Sequence, residues 1–166
     1  MSEQATNRQY GISNAVSSEL ADAARQEILN HTPSHRVPKE PWDYYHHTNK
    51  TAELTKEFVM NGDKQVLATL AGIAAEKVAG QFHKAFPVVF INATPEISIP
   101  GGRTNYIWSF IALGPLTVEM GLPAISSNRI RLALESGQAL HVVGWVDMWF
   151  TGEGGGTALV VDWRIY

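Results

Sequence analysis

The chain changes period part-way along its length. Between residues 17 and 84 the apolar positions recur three and four apart, and from about residue 86 onward they recur every second position. The first spacing is that of helices with one buried face, the second that of strands. Ser17 or Ser18 caps a first predicted helix that runs to about Asn30, with Glu19 and Asp22 near its positive end and Leu20, Ala23, Ala24 and Ile28 along one side. Pro33, Pro38 and Pro41 forbid its continuation, so the stretch between Asn30 and His47 is read as extended chain. A second helix is expected over 49–60, ended by Asn61-Gly62, and a third over 64–84, with Val66, Leu67, Leu70, Ile73, Val78 and Phe82 on its buried side.

The strands follow with short turns between them: 86–91, 96–99, 104–113, 116–120, 129–134, and then a long closing hairpin from Gln138 to Tyr166 whose glycine-rich tip spans 151–156. On the outgoing arm of that hairpin Leu140, Val142, Gly144, Val146, Met148 and Phe150 share one face; His141, Trp145, Asp147 and Trp149 share the other. Joined to the return arm, the second face also receives Asp162, Arg164 and Tyr166. A turn with Gly137 in the left-handed position sets Leu132 against Leu140 and Arg131 across from His141, which keeps the oily face continuous. In this register Asp162 lies opposite Trp145 and Asp147 opposite Val160, so neither carboxylate is held beside His141.

Helices first and then about seven mostly antiparallel strands make the expected class α+β, mainly β: an N-terminal arm and helices followed by an antiparallel β-sandwich, a single jelly roll being one form of it. Residues 1–47 are read as an arm with one short helix and 48–166 as a single globular domain. A length of 166 residues suits one core.

Composition adds three constraints. Charged residues make up only 17% of the chain, below the usual quarter, which favours surface buried by self-association. The formal net charge is −3 and no run of lysine or arginine occurs, which argues against direct nucleic-acid binding. The absence of cysteine removes thiolate metal sites and cysteine nucleophiles. The first residues lack the charged and apolar regions of a secretory signal, and no apolar run reaches the ~20 residues needed to cross a bilayer.

The chemistry-bearing residues do not form a recognised motif. His46 and His47 are adjacent and so point apart in extended chain, and with His31 and His35 they show no compact ligand spacing; no metal and no cofactor are expected. The glycines of 151–156 cap a hairpin rather than open a helix, so they read as a flexible turn or a place of close backbone approach, not a phosphate cradle. Trp42, Tyr44 and Tyr45 suit anchoring of an arm on a neighbour, and Arg131, His141, Trp145, Trp149 and Arg164 suit a sheet face that meets a partner. The polar arm, the proline-punctuated aromatic segment and the low charge together resemble, in layout only, small viral coat proteins. The leading expectation is therefore a non-enzymatic, self-assembling capsid-type subunit of a virion, working as a homo-oligomer. The alternative is a small-molecule-binding or catalytic domain in which His141, Asp147 and Arg164 point into a pocket walled by Trp145 and Trp149. A further alternative is a carbohydrate-binding module using the same two tryptophans.

Overall fold

The computed structural model describes residues 9–165. It contains twelve strands: β1 (Tyr10–Asn14), β2 (His35–Arg36), β3 (Trp42–Tyr44), β4 (Phe82–Phe90), β5 (Ile97–Ile99), β6 (Tyr106–Leu113), β7 (Leu116–Thr117), β8 (Ala124–Ile125), β9 (Ala133–Leu134), β10 (Gln138–Val143), β11 (Met148–Phe150) and β12 (Thr157–Arg164). The helices are α1 (Ser18–Leu29), α2 (Asn49–Asn61) and α3 (Gln65–Ala71). A seven-stranded sheet in the order β1-β10-β6-β12-β4-β3-β2 forms the body, with a three-stranded sheet β5-β11-β8 and a two-stranded sheet β7-β9 beside it. Every pairing among these strands is antiparallel. The chain is thus mainly β with a few helices.

The seven-stranded sheet is buried on both faces at its centre. Along β12 (TALVVDWR) every residue from Thr157 to Trp163 is buried, because one face meets helices and the other meets the smaller sheet. On the helix face Trp163 packs edge-on against Phe58 of α2 at 5.9 Å and against Phe82 at 6.0 Å. On the other face Phe90, Phe110 and Trp42 close around Phe150 of β11, with ring centroids 5.9–6.5 Å apart. Helix starts follow the expected caps: the Ser17 hydroxyl accepts from the Leu20 amide, and Thr48 and Thr51 form a reciprocal capping box at α2.

Several sequence expectations are corrected here. The predicted closing hairpin does not exist. β10 ends at Val143, Gly144 turns the chain, and β11 belongs to a different sheet, while β12 returns to pair with β4 and β6. The turn needs glycine because a Cβ at Gly144 would sit 2.5 Å from the Arg103 carbonyl oxygen and 2.7 Å from Tyr106 Cβ. Asp162 therefore stands beside Lys84 and Trp108, not Trp145. Gly137 does adopt the expected positive φ, 91°, yet β9 pairs with β7, and Arg131 forms an ion pair with Glu119 instead of facing His141. The period-two pattern was visible in the letters; which strand is whose neighbour was set by the crossing between sheets, which leaves no local mark.

The expected third helix ends early. α3 stops at Gly72 (φ 71°), two short 3₁₀ turns follow, and β4 already begins at Phe82. The stretch read as an N-terminal arm with one short helix also supplies both edges of the large sheet, β1 on one side and β2-β3 on the other. Residues 1–8 of that arm, and Tyr166 of the polar face, lie outside the described residues. The glycine-rich segment 151–156 is a place of close approach: a Cβ at Gly152 would meet the Val118 carbonyl oxygen at 2.2 Å, and one at Gly154 the Ile91 carbonyl carbon at 2.5 Å. No described helix is long and apolar enough to cross a membrane.

Candidate functional site

A pocket of about 290 Å³ opens where the ends of β4, β6 and β12 face β3 and the β5 segment. Its aromatic lining comes from Trp42 and Tyr44 on β3, Phe86 on β4 and Trp108 on β6. Its charges come from Lys84 on β4, Asp162 and Arg164 on β12, Arg103 in the loop before β6, and Glu40; Ser98, Ile99 and Pro100 close the opposite side. Alternation along β12 explains why an acid and a base project together: residues two apart share a face, so Asp162 and Arg164 point the same way.

Asp162 is the most unusual group in this pocket. It is 3% exposed, and its Oδ1 has no hydrogen-bond partner. The nearest cation, the Arg164 guanidinium, is 3.9 Å from Oδ2, too far for a hydrogen bond. Burial pushes the Asp162 carboxyl above the usual carboxylate range, opposed by the nearby positive groups of Arg164, His83, Lys84 and Arg103. Arg164 lies over the Tyr106 ring at 5.1 Å and keeps its Nε unpaired; Arg103 sits against the same ring at 5.6 Å. Trp42 Nε1 is also buried without a hydrogen bond, though it stands near enough to Tyr44 to favour ionisation of that hydroxyl slightly. The net effect on Tyr44 is the reverse: burial, and donation of its hydroxyl to Glu40 at 2.6 Å, raise its pKa to about 12. Unsatisfied buried donors and acceptors are rare in folded proteins and cost free energy when left so. Trp42, Asp162 and Arg164 hold three such atoms around one cavity, the fourth described one being Thr157 Oγ1.

The residues expected to make a sheet interface are scattered by the fold. Trp42 is 1% exposed, an anchor in its own core, and His141 is fully buried on the helix side. Both are therefore corrected as interface residues. His141 bridges Ser13 of β1 and Ser109 of β6 at 2.8 and 2.6 Å, and Trp163 Nε1 donates to the same Ser109 hydroxyl at 2.8 Å. Ser109 thus accepts from Trp163 and is also hydrogen-bonded to His141 Nδ1, while His141 Nε2 is engaged by Ser13. Desolvation holds the His141 pKa down at about 3. Tyr44 and Arg164 do reach the pocket, whereas Tyr45 lies on the chain just past β3 and Arg131 is exposed against Glu119. Asp147, expected in a pocket with His141, instead accepts from the Gly101 amide at 2.6 Å and pins the loop after β5. Trp145 is half-exposed in the turn after β10, and Trp149 on β11 donates to the Ser126 carbonyl under the Arg129 guanidinium. The two tryptophans form no common stacking platform.

Sequence reasoning missed Glu40, Lys84, Phe86, Arg103 and Trp108. A signal for Asp162 was present: an acid and a base two apart in an otherwise apolar strand, VVDWR, mark a polar spot on a buried face.

The same architecture occurs in solved structures of enzymes. The non-heme alpha-ketoglutarate-dependent carbocyclase SnoK of nogalamycin biosynthesis aligns over 95% of this chain and 80% of its own, with a TM-score of 0.60 and 14% identity. A Pseudomonas putida prolyl-4-hydroxylase aligns over 99% and 96%, with a TM-score of 0.60 and 8% identity. The epimerase SnoN, solved in complex with Fe3+, alpha-ketoglutarate and nogalamycin RO, aligns over 95% and 80%, with a TM-score of 0.56 and 14% identity. No family model matches the sequence, and no curated protein does. The likeness is one of fold. It overturns the expectation of a non-enzymatic capsid or virion subunit built for self-assembly, because the solved structures named here that share the fold are a carbocyclase, an epimerase and a prolyl-4-hydroxylase.

Proposed function

We propose that this chain is a small-molecule enzyme domain whose site is the pocket around Asp162, and that its two facing sheets are a jelly roll enclosing that site. The ligand is a small organic anion with a flat apolar body. The observation that carries this reading is Asp162 itself: a buried carboxyl with one oxygen unpartnered, ringed by Lys84, Arg103 and Arg164 and open to an aromatic-lined cavity. With both acids ionised, three cations against Asp162 and Glu40 leave the pocket one positive charge. Arg164, with an unpaired Nε, holds the anionic group, and Tyr44, Phe86 and Trp108 hold the flat part. Asp162, whose pKa burial raises, gives or takes a proton; a carboxyl tuned upward beside a bound substrate is suited to acid–base work. The fold shared with enzymes of small-molecule metabolism supports the same reading.

Calorimetric titration with benzoate, 2-oxoglutarate and neutral benzamide tests it. The carboxylates bind and benzamide does not, and Arg164→Ala weakens carboxylate binding by about tenfold to a hundredfold, the worth of about 1.5–3 kcal/mol for a charged hydrogen bond. Equal binding by wild type and Arg164→Ala removes the proposal.

A further inference from the structure

One structural neighbour named above, SnoN, was solved in complex with Fe3+, and the pocket proposed here does not fit that metal. Protein-held non-haem iron of the oxygenase kind rests on two imidazoles and a carboxylate converging on one face. Among the described residues no cluster of three histidine, cysteine, aspartate or glutamate side chains is close enough to hold a metal ion, and residues 1–8 and 166 contain no histidine or cysteine.

Four of the six histidines are hydrogen-bonded elsewhere, and neither of the other two, His46 and His83, belongs to a group of three side chains that could hold a metal ion among the described residues. His141 lies on the opposite face of the large sheet with both ring nitrogens engaged by Ser13 and Ser109. His47 is held by Thr51 and the Ala85 carbonyl, His31 by the Glu27 carbonyl, and His35 by Ser34 while it stacks on Tyr44 at 4.6 Å. Across the cavity from Asp162 the wall is Ser98, Ile99 and Pro100, of which only the serine has a side-chain oxygen. Along β11, where Met148 pairs with Ile99, the residues that reach the core are Met148 and Phe150, again without a hard ligand. Lys84, Arg103 and Arg164 around the one buried acid oppose a dication and favour an anion.

We infer that this pocket takes a carboxylate ligand by direct contact with Lys84, Arg103 and Arg164, with no iron between ligand and protein. The inference rests on the proposed reading of the pocket as the ligand site. It sets this chain apart from the iron chemistry named for SnoN while keeping the fold.

Two measurements on the full chain separate the possibilities. In the first, the protein is dialysed anaerobically against ferrous iron, and against manganese as a paramagnetic stand-in, and bound metal is counted by elemental analysis and electron paramagnetic resonance. No stoichiometric metal is expected; one ion per chain that is lost in Asp162→Asn overturns the inference. In the second, benzoate and 2-oxoglutarate are titrated with EDTA present and with ferrous iron present. Affinity unchanged between the two conditions is the expected result, and binding that appears only with iron overturns it. If neither carboxylate binds in either condition while the metal count stays at zero, the reading of the pocket as an anion site fails and the absence of iron stands by itself.

Discussion

His141 makes the stability of this chain fall on mild acidification. In the unfolded chain its imidazole titrates near 6.5, whereas burial holds the folded value at about 3. The unfolded state thus binds the proton first, so stability is full above pH 6.5 and declines as pH drops from 6.5 toward 3. Each pKa unit is worth about 1.4 kcal/mol, so the loss is about 2 kcal/mol at pH 5 and about 4–5 kcal/mol once both states are protonated. Local geometry agrees with the direction: the ring is fully buried and its two nitrogens meet only the neutral hydroxyls of Ser13 and Ser109, with no carboxylate hydrogen-bonded to the ring to favour a charged form. The assay is urea unfolding at pH 7.5, 6 and 5 and constant ionic strength, for wild type and for His141→Gln, which keeps a donor and an acceptor but does not titrate here. The difference between the two proteins isolates His141 from the carboxylates. If the variant is too unstable to purify, nitrogen-15 spectra of the wild-type imidazole carry the test: the ring keeps the signature of a neutral imidazole at pH 5. The same pH dependence of unfolding in wild type and His141→Gln, or an imidazole midpoint near 6.5 in the spectra, means that the ring is solvated, and the reasoning fails.

The pocket has the opposite pH signature. Asp162, raised by burial, becomes neutral as pH falls toward its titration and removes a negative charge facing His83 and Lys84 of β4, Arg103, and Arg164 of β12; benzenesulfonate, an anion that stays ionised throughout, therefore binds more tightly at lower pH, and Asp162→Asn flattens the dependence by calorimetry. Trp42→Ala costs about 3–5 kcal/mol in urea unfolding, because the ring contacts Phe86, Phe90, Phe110 and Phe150; a loss under 1 kcal/mol would mean that β3 is dispensable edge. Gly121→Ala lowers stability by about 2–4 kcal/mol, since its φ of 133° disfavours a side chain and a Cβ would sit 2.1 Å from the Phe90 ring; an unchanged unfolding midpoint contradicts the close packing there.

The local rules read well from the letters and the long-range ones did not. Ser17, Thr48 and the alternation of 138–143 and 157–164 gave helix starts and strands because capping and pleating are decided within a few residues. Gly144 looked like one more apolar-face position in an unbroken strand. Its role is visible only once Arg103 and Tyr106 are seen against it. The same error carried the site astray. Placing β12 beside the outgoing strand of a hairpin set Asp162 against Trp145, while the crossover puts it between β4 and β6, where Lys84 and Trp108 arrive from 78 and 54 positions away in sequence (162 − 84 and 162 − 108). Tryptophan and tyrosine at 42–45 were legible as anchors, but the pattern does not say whether an anchor finds its own core or a neighbour's, since the desolvation gained is the same in either place.

The two faces of β12 differ in how they treat polar groups, and this difference argues where function resides. On the helix side the chain Trp163, Ser109, His141, Ser13 closes on the histidine: both ring nitrogens and the Trp163 N–H are hydrogen-bonded, burial favours the neutral imidazole, and β1 is tied to the middle of the sheet. A closed network of this kind has nothing left to offer a ligand, and it rigidifies the wall against which Asp162 is presented. One residue along, on the other side, Asp162 and Arg164 keep an oxygen and a nitrogen unpaired beside an aromatic cavity. Packing alone favours apolar residues at such positions, since a buried acid and base that do not close on each other cost more than they return. Their cost is offset only when something enters the pocket that pairs with them, and an organic anion under Arg164 is the partner that their charge, spacing and flat surroundings select.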